Sequence, residues 1–245
     1  MSDPTLPAAA GARRVLVTGG ASGIGESAVR ACLKRGARVA ALDRSLIEPD
    51  PWDPVHSERW RGFQCDVADE DQVSASTGEA IAWLGGLDAV LHVAGIVGDN
   101  RSDADTLERK AWDAVLDVNL TGAWLVAKHC LPALADGGGA LVLTGSGAGV
   151  HNAHSSVAYA ASKGGLNGLA ITLEERWRRR GVSVIAVLPG SVDTPLLRRV
   201  NPGGDASRAR QKSEHMMVES DEVGELLAFL AHPEASAVRG PVRTW

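Results

Sequence analysis

Short apolar runs and helical stretches alternate along this chain with a regular beat. Arg13-Arg14-Val15-Leu16-Val17 leads through a glycine-rich stretch into a helical pattern reaching Arg35, and Ala37-Arg38-Val39-Ala40-Ala41-Leu42 follows. Further on, 60–67, 87–93, 139–143 and 182–188 read as strands, with a last short strand over 240–245. Segments 71–84, 106–134, 159 to about 180, and 221–230 read as helices. The strand runs are continuously apolar instead of alternating, as in strands buried on both faces. Such strands separated by helices predict an α/β fold, a doubly wound parallel sheet covered on both sides and built with right-handed crossovers. A ligand of such a sheet lies across the carboxyl ends of its strands. No stretch marks a domain boundary, so 1–245 reads as one domain.

Two segments depart from the beat. Residues 48–56, with prolines at 49, 51 and 54, read as a surface loop. Residues 191–217 mix Pro195, Leu196, Leu197, Val200, Pro202, Gly203 and Gly204 with Met216 and Met217, and so long an excursion reads as a substrate lid. Arg198, Arg199, Arg208, Arg210 and Lys212 face only Asp205 and Glu214 there, which leaves two readings open, a bound anion or a solvated loop.

Composition narrows the class. At 245 residues, 44% hydrophobic with 28 glycines, the chain suits a buried sheet. A net charge of −5 with scattered basic residues argues against nucleic acid as a partner. No run approaches the roughly 18 apolar residues of a membrane span, so the expectation is a cytoplasmic protein without a membrane role. Cys32, Cys65 and Cys130 are odd in number and lack metal-like spacing, so they read as reduced core residues.

The candidate chemistry begins at Thr18-Gly19-Gly20-Ala21-Ser22-Gly23-Ile24-Gly25, between the first strand and the first helix. Glycines at 19, 23 and 25 allow a tight turn and the close approach of a pyrophosphate, whose charge would sit at the helix N-terminus. Alone, such a cluster can equally be a plain turn. Asp43 ends the second strand, where a carboxylate can accept hydrogen bonds from an adenosine ribose. It would also repel a 2′-phosphate, which favours NAD over NADP, with the neighbouring Arg44 as the counter-argument.

Tyr159-Ala160-Ala161-Ser162-Lys163 places the chain's single tyrosine one helical turn before one of its five lysines. A cation about 5 Å from a phenol, at an effective dielectric of about 20, contributes about 3 kcal/mol. That would lower the phenol by about two pH units and bring a phenolate within reach of neutral pH. By itself the spacing is also that of many solvated helix pairs.

In order, the glycine turn at 18–25, Asp66-Val67, Asn119, Ser146, Tyr159-x-x-x-Lys163 and Pro189-Gly190-x-x-x-Thr194 resemble a classical short-chain dehydrogenase/reductase over essentially the whole chain. The resemblance implies a single Rossmann-type domain with a seven-stranded sheet, usually dimeric or tetrameric. It implies an NAD-dependent enzyme interconverting a small-molecule secondary alcohol and its ketone. Tyr159 would be the general acid/base, and Lys163 would lower the phenol's pKa and bind the nicotinamide ribose. Ser146 would hold the substrate oxygen, and Asn119 would anchor a relay water. Gly19, Ser22, Gly23, Ile24, Gly25, Asp43, Asp66, Val67, Ala94, Gly95, Pro189, Gly190, Val192 and Thr194 would contact the cofactor alongside Tyr159 and Lys163, with Asp66 and Val67 near adenine and Val192 and Thr194 near the nicotinamide amide.

The chain departs from the family pattern in two places. His92-Val93-Ala94-Gly95 stands where the family usually has Asn-Asn-Ala-Gly, so a bracing side-chain amide is replaced, and His92 reads as a core histidine able to take over that brace. After Arg243-Thr244-Trp245 the usual aspartate and glycines are missing, which bears on the expected homodimer or homotetramer. Two other functions stay open, an NADPH-dependent carbonyl or 3-oxoacyl reductase and a non-catalytic dinucleotide-binding regulator.

Overall fold

The apolar runs form strands β1 (Arg14–Thr18), β2 (Arg38–Asp43), β3 (Trp60–Gln64), β4 (Ala89–His92), β5 (Gly139–Thr144) and β6 (Val182–Leu188). Three shorter strands follow, β7 (Ser191–Asp193), β8 (Met217–Glu219) and β9 (Val242–Arg243). The structure, a computed structural model, describes residues 11–45, 58–151, 156–200, 204 and 217–244. The proline-rich loop at 48–56 and most of the basic residues of 191–217 lie outside the described residues.

Seven strands pair in the order β3-β2-β1-β4-β5-β6-β9, all parallel, as the unbroken apolar runs predict. The order reverses between β1 and β4, and at such a reversal the flanking connections diverge and open a crevice at the carboxyl ends. Helices α1 (Gly23–Lys34) and α7 (Ser220–Leu230) cover one face, where Val17, Val39, Leu91, Val142 and Val187 meet Leu33, Val223 and Leu227. Helices α2 (Glu70–Leu84), α4 (Gly122–Gly137) and α5 (Val157–Trp177) cover the other, where Leu16, Leu42, Val90, Leu141 and Leu143 meet Leu84, Val126 and Leu166. Each such fully buried aliphatic side chain contributes about 1.5–3 kcal/mol.

The element ends have local causes. Asp69 caps α2 by accepting a hydrogen bond from the Gln72 amide at 3.1 Å, and Gly85, at φ 77°, ends it in the left-handed region. Strand β3 stops at Gln64, so Asp66 and Val67 lie beyond it instead of within it.

The long helix expected over 106–134 is three pieces. Helix α3 (Arg109–Leu116) passes into a π-helical turn over Asp117–Thr121, and α4 continues to Gly137 with Pro132 inside it. In the widened turn the Gly122 amide reaches back five residues to the Asp117 carbonyl. A Cβ on Gly122 would lie 2.9 Å from the Val67 carbonyl oxygen, so only glycine lets the helix start against that loop.

The segment at 191–217 is clipped at its base. Strands β7 and β8 pair in parallel, Val192 opposite Val218, and α6 (Pro195–Val200) follows β7. All three cysteines are free and buried, and burial pushes the Cys32 and Cys130 thiols up to about 12, as suits reduced core residues. Among the described residues no helix is long and apolar enough to cross a membrane.

Candidate active site

The glycine turn sits at the carboxyl end of β1. Gly19 and Gly23 have φ of 71° and 57°, and a Cβ on Gly19 would approach the Ala94 amide nitrogen to 2.8 Å. A Cβ on Gly25 would run into the Gly19 carbonyl oxygen. Ser22 is exposed, and its side chain does not cap α1, so the helix N-terminus keeps amide groups available to an anion. Asp43 closes the turn from the side, its Oδ2 accepting from the Ala21 amide at 3.0 Å and its Oδ1 from the Ser45 amide at 2.9 Å. Arg44 beside it is exposed. A cradle that any side chain would fill, at an uncapped helix N-terminus with a carboxylate alongside, fits the pyrophosphate and ribose of a dinucleotide.

Strand β4 delivers the next group. Thr18 Oγ1 accepts from the Val93 and Ala94 amides at 3.2 and 3.3 Å, which leaves its hydrogen for His92 Nδ1 at 3.0 Å. The Thr18 hydroxyl and His92 thus tie β1 to β4, with the ring as acceptor and not as the donor that would stand in for the family's amide. The ring is wholly buried, and burial, with the Lys163 charge adding to it, holds His92 down at about 3, so it is neutral. Asn119, in the π-helical turn, accepts from the Ile96 amide and donates to the Ile96 carbonyl, both at 2.8 Å, and donates to Ser162 Oγ at 3.0 Å. Both its amide hydrogens are taken, so a water expected at Asn119 finds no free donor on this side chain.

Tyr159 and Lys163 leave α5 on one face. The Ser146 side chain stands close enough to Tyr159 to pull the phenol's pKa down, and Ser146 Oγ accepts from the Ala148 amide at 3.1 Å. Lys163 Nζ, buried, donates to the Thr144 carbonyl at 2.7 Å and lies 5.7 Å from the centroid of the Tyr159 ring. The loop carrying Ser146 is held on α5 because Gly149 has no Cβ, which would lie 2.6 Å from the Lys163 carbonyl carbon.

The expected lowering of the phenol by the lysine does not occur in the protein alone. Burial pushes Tyr159 above its ordinary value, against a smaller downward pull from the Ser146 hydrogen bond, and brings Lys163 down to about 8. A poorly hydrated site penalises the phenolate and the ammonium alike, and the lysine is turned toward a backbone carbonyl.

The remaining expected residues flank this centre. A Cβ on Gly23 would touch Thr194 Cβ at 3.4 Å, and Thr194 Oγ1 accepts from the Leu197 amide at 3.2 Å. Val192 is buried beside Thr194, the Pro189 carbonyl accepts from the Gly147 amide at 3.0 Å, and the Gly190 amide points to Thr244 Oγ1 at 3.4 Å. Asp66 Oδ1 accepts from the Ala68 amide at 3.0 Å, next to Val67, and Ile24 packs in the first turn of α1. Gly95 lies against both Asn119 and Lys163. Arg198 pairs with Asp193 at 2.9 Å, which removes one charge from the anion-binding reading of the lid.

A cavity of about 400 Å³ opens among Arg13, Gly139, Gly181 and Arg239, at the amino ends of the strands, and shares no lining residue with this centre. Sequence reading missed Thr18 and Ser162. A serine inside the Tyr-x-x-x-Lys turn was the available signal.

The chain was compared with known proteins. The family profile described as short chain dehydrogenase matches residues 13–204. Cis-4-hydroxycyclohexanecarboxylate dehydrogenase of Sinomonas cyclohexanicum is 34% identical over 235 residues, 94% of this chain and 93% of that protein. D-threitol dehydrogenase of Mycolicibacterium smegmatis is 35% identical over 234 residues, 92% of this chain and 88% of that protein. The solved structure of levodione reductase superposes with a TM-score of 0.83 at 26% identity, covering 94% of this chain and 95% of that one. With this fold, this arrangement of residues and these relatives, the chain belongs to the classical short-chain dehydrogenase/reductase family, whose members are oxidoreductases of alcohols and ketones that use a nicotinamide dinucleotide.

Proposed function

We propose that the protein interconverts a secondary alcohol and its ketone with NAD, Tyr159 acting as the general acid/base. The observation that carries this reading is Tyr159 with Ser146 beside it and a buried Lys163 whose Nζ lies 5.7 Å from the centroid of the phenol ring, at the carboxyl edge of the sheet across from the glycine turn. The dinucleotide would accept or supply the hydride. Held by Ser146, the alcohol oxygen would pass its proton to Tyr159, and both groups must reach that one oxygen. Lys163 would hold the nicotinamide ribose. With both Asn119 amide hydrogens taken, a relay water would be held by the main chain of the widened turn or by donating to Asn119 Oδ1.

The NAD preference rests on Asp43, which stands against the turn where a 2′-phosphate would meet its charge. Arg44, exposed beside it, favours NADP use as the second reading. Relatives named for a hydroxycyclohexanecarboxylate and for threitol point to cyclic or polyol secondary alcohols as the first substrates to try. Residues 191–217 would act as the lid of this one dinucleotide-binding domain, supported by the β7–β8 clip and by Asn100 Nδ2 donating to the Val200 carbonyl at 3.0 Å. A cytoplasmic homodimer or homotetramer is supported by the free cysteines and by Trp124 and Ile171, 46% and 66% exposed on α4 and α5.

The test is an oxidation screen of cyclic secondary alcohols and sugar alcohols with NAD and NADP, repeated with Tyr159→Phe. Turnover with NAD that vanishes in the variant supports the reading. A preference for NADP overturns the cofactor assignment, and a variant that keeps most of its turnover overturns the base.

A further inference from the structure

Ser162 is fully buried inside the turn that separates Tyr159 from Lys163. Its hydroxyl donates to the Tyr159 carbonyl at 2.8 Å, and its oxygen accepts from Asn119 Nδ2 at 3.0 Å. Back-bonding to the carbonyl three residues earlier is how a helical serine commonly satisfies itself. Acceptance from Asn119 goes beyond that, because it joins α5 to another element.

Further bonds follow on the backbone of 93–96. Asn119 clamps the Ile96 amide and carbonyl, both at 2.8 Å. Two and three residues before Ile96, the Ala94 and Val93 amides converge on Thr18 Oγ1, on the residue that precedes the glycine turn. Directions are fixed throughout. Ser162 has one hydrogen, given to Tyr159, and both Asn119 amide hydrogens are taken, so loss of any member orphans a buried group. The segment is also pressed sideways, since a Cβ on Gly95 would lie 3.2 Å from Asn119 Oδ1 and 3.4 Å from Lys163 Nζ. The backbone ladder of α5 sets Tyr159 within its helix, and the link from Ser162 to Asn119 sets that helix turn against the β4 loop.

We propose that Ser162 is a positioning residue for Tyr159, the terminal member of a set of hydrogen bonds, joined through the backbone of 93–96, that runs from Thr18 at the glycine turn to the backbone of the tyrosine. This rests on the reading of Tyr159 as the acid/base, yet it can be tested without a substrate. Tyr159 is the only tyrosine in the chain, so tyrosinate absorption in a pH titration reports that phenol alone. The probes are this titration and NADH binding by nicotinamide fluorescence, on the full chain and on Ser162→Ala, Ser162→Thr and Ser76→Ala. Ser76→Ala removes a different buried hydroxyl, bonded to the Gln64 carbonyl at 3.1 Å.

In Ser162→Ala the tyrosine turn loosens and water reaches the phenol. Its raised midpoint should fall toward the ordinary value by about half a pH unit or more, while NADH affinity stays within about two-fold. Ser162→Thr should restore the midpoint, and Ser76→Ala should leave it unchanged. A midpoint in Ser162→Ala equal to that of the unaltered protein overturns the proposal, and so does an equal displacement in Ser76→Ala. If Ser162→Ala does not fold, Ser162→Cys keeps the volume, weakens both bonds and is read by the same criteria. A failed Tyr159 assignment shows separately, as turnover retained by Tyr159→Phe.

Discussion

The two sides of the crevice treat their polar groups in opposite ways. At the glycine turn they are left open: Ser22 is exposed and caps nothing, and α1 begins without a side-chain partner. On the tyrosine side they are closed upon one another: Asn119 on Ile96 and Ser162, Ser162 on Tyr159, Lys163 on Thr144. The open side can bind a charged ligand through backbone groups, since exposed amides gain partners when an anion arrives. The closed side holds a phenol in place before any ligand comes, which is what proton transfer at a fixed distance requires. On the proposed reading, recognition falls to β1 with α1 and positioning to the widened turn with α5. Thr18, at the end of β1, bonds the Val93 and Ala94 amides of the β4 loop, whose Ile96 Asn119 clamps.

The comparison is broken most severely at the phenol itself. Tyr159→Phe should lower turnover by about 10²–10⁴ and leave dinucleotide affinity within a few-fold, measured by steady-state rates and nicotinamide fluorescence. Next in size is the open side. Gly25→Ala places a methyl on the Gly19 carbonyl and should weaken NADH binding by at least about ten-fold. Because recognition and positioning are separate, the tyrosinate titration of the unliganded variant should match that of the unaltered protein.

The brace between the two sides has a pH signature. His92 stays neutral in the fold down to about 3, whereas an unfolded histidine takes up its proton near its ordinary 6.5. Stability fully present above the unfolded value is therefore lost as the pH falls from there toward about 3, at about 1.4 kcal/mol per pH unit from this group. His92→Asn should flatten that acid limb in denaturant titrations by the same amount. The smallest effect is expected at Asp43. Asp43→Ser should move the ratio of NAD to NADP efficiency by about ten-fold or less toward NADP, since it removes a repulsion and adds no phosphate partner.

Much of the fold was legible because an unbroken apolar run has few other uses in a chain of this size. Strand β6 lies over 182–188 as expected, α2 and α7 each begin one residue before their expected starts, and α1 ends one residue before Arg35 but begins inside the glycine turn. The π-helical turn was hidden because inserting one residue at Asp117–Thr121 leaves the composition of a long helix unchanged. Pairing of Ser191–Asp193 with Met217–Glu219 joins three-residue runs far apart in the chain, too short to carry a period of their own.

At the site, spacing indicated that Tyr159 and Lys163 share a face, because four residues make a helical turn whatever surrounds it. The direction of the phenol's shift depends on burial and on where the lysine points, and neither is written in an interval between residues. The sequence predicts a lowered phenol, and burial makes it a raised one, with the Lys163 ammonium turned to the Thr144 carbonyl. Ser162 escaped notice for a similar reason, since a serine in a helix reads as neutral until its partner on another element is known.

The central claim is that Tyr159 faces the dinucleotide crevice as a proton acceptor, and its status as the chain's only tyrosine makes it directly observable. The decisive measurement is the tyrosinate absorption titration of the full chain, alone and with saturating oxidised dinucleotide. The account predicts a midpoint above the ordinary phenol value in the protein alone and a clear fall when the dinucleotide, with its cationic ring, is bound. A midpoint at the ordinary value that does not respond to the dinucleotide would contradict it.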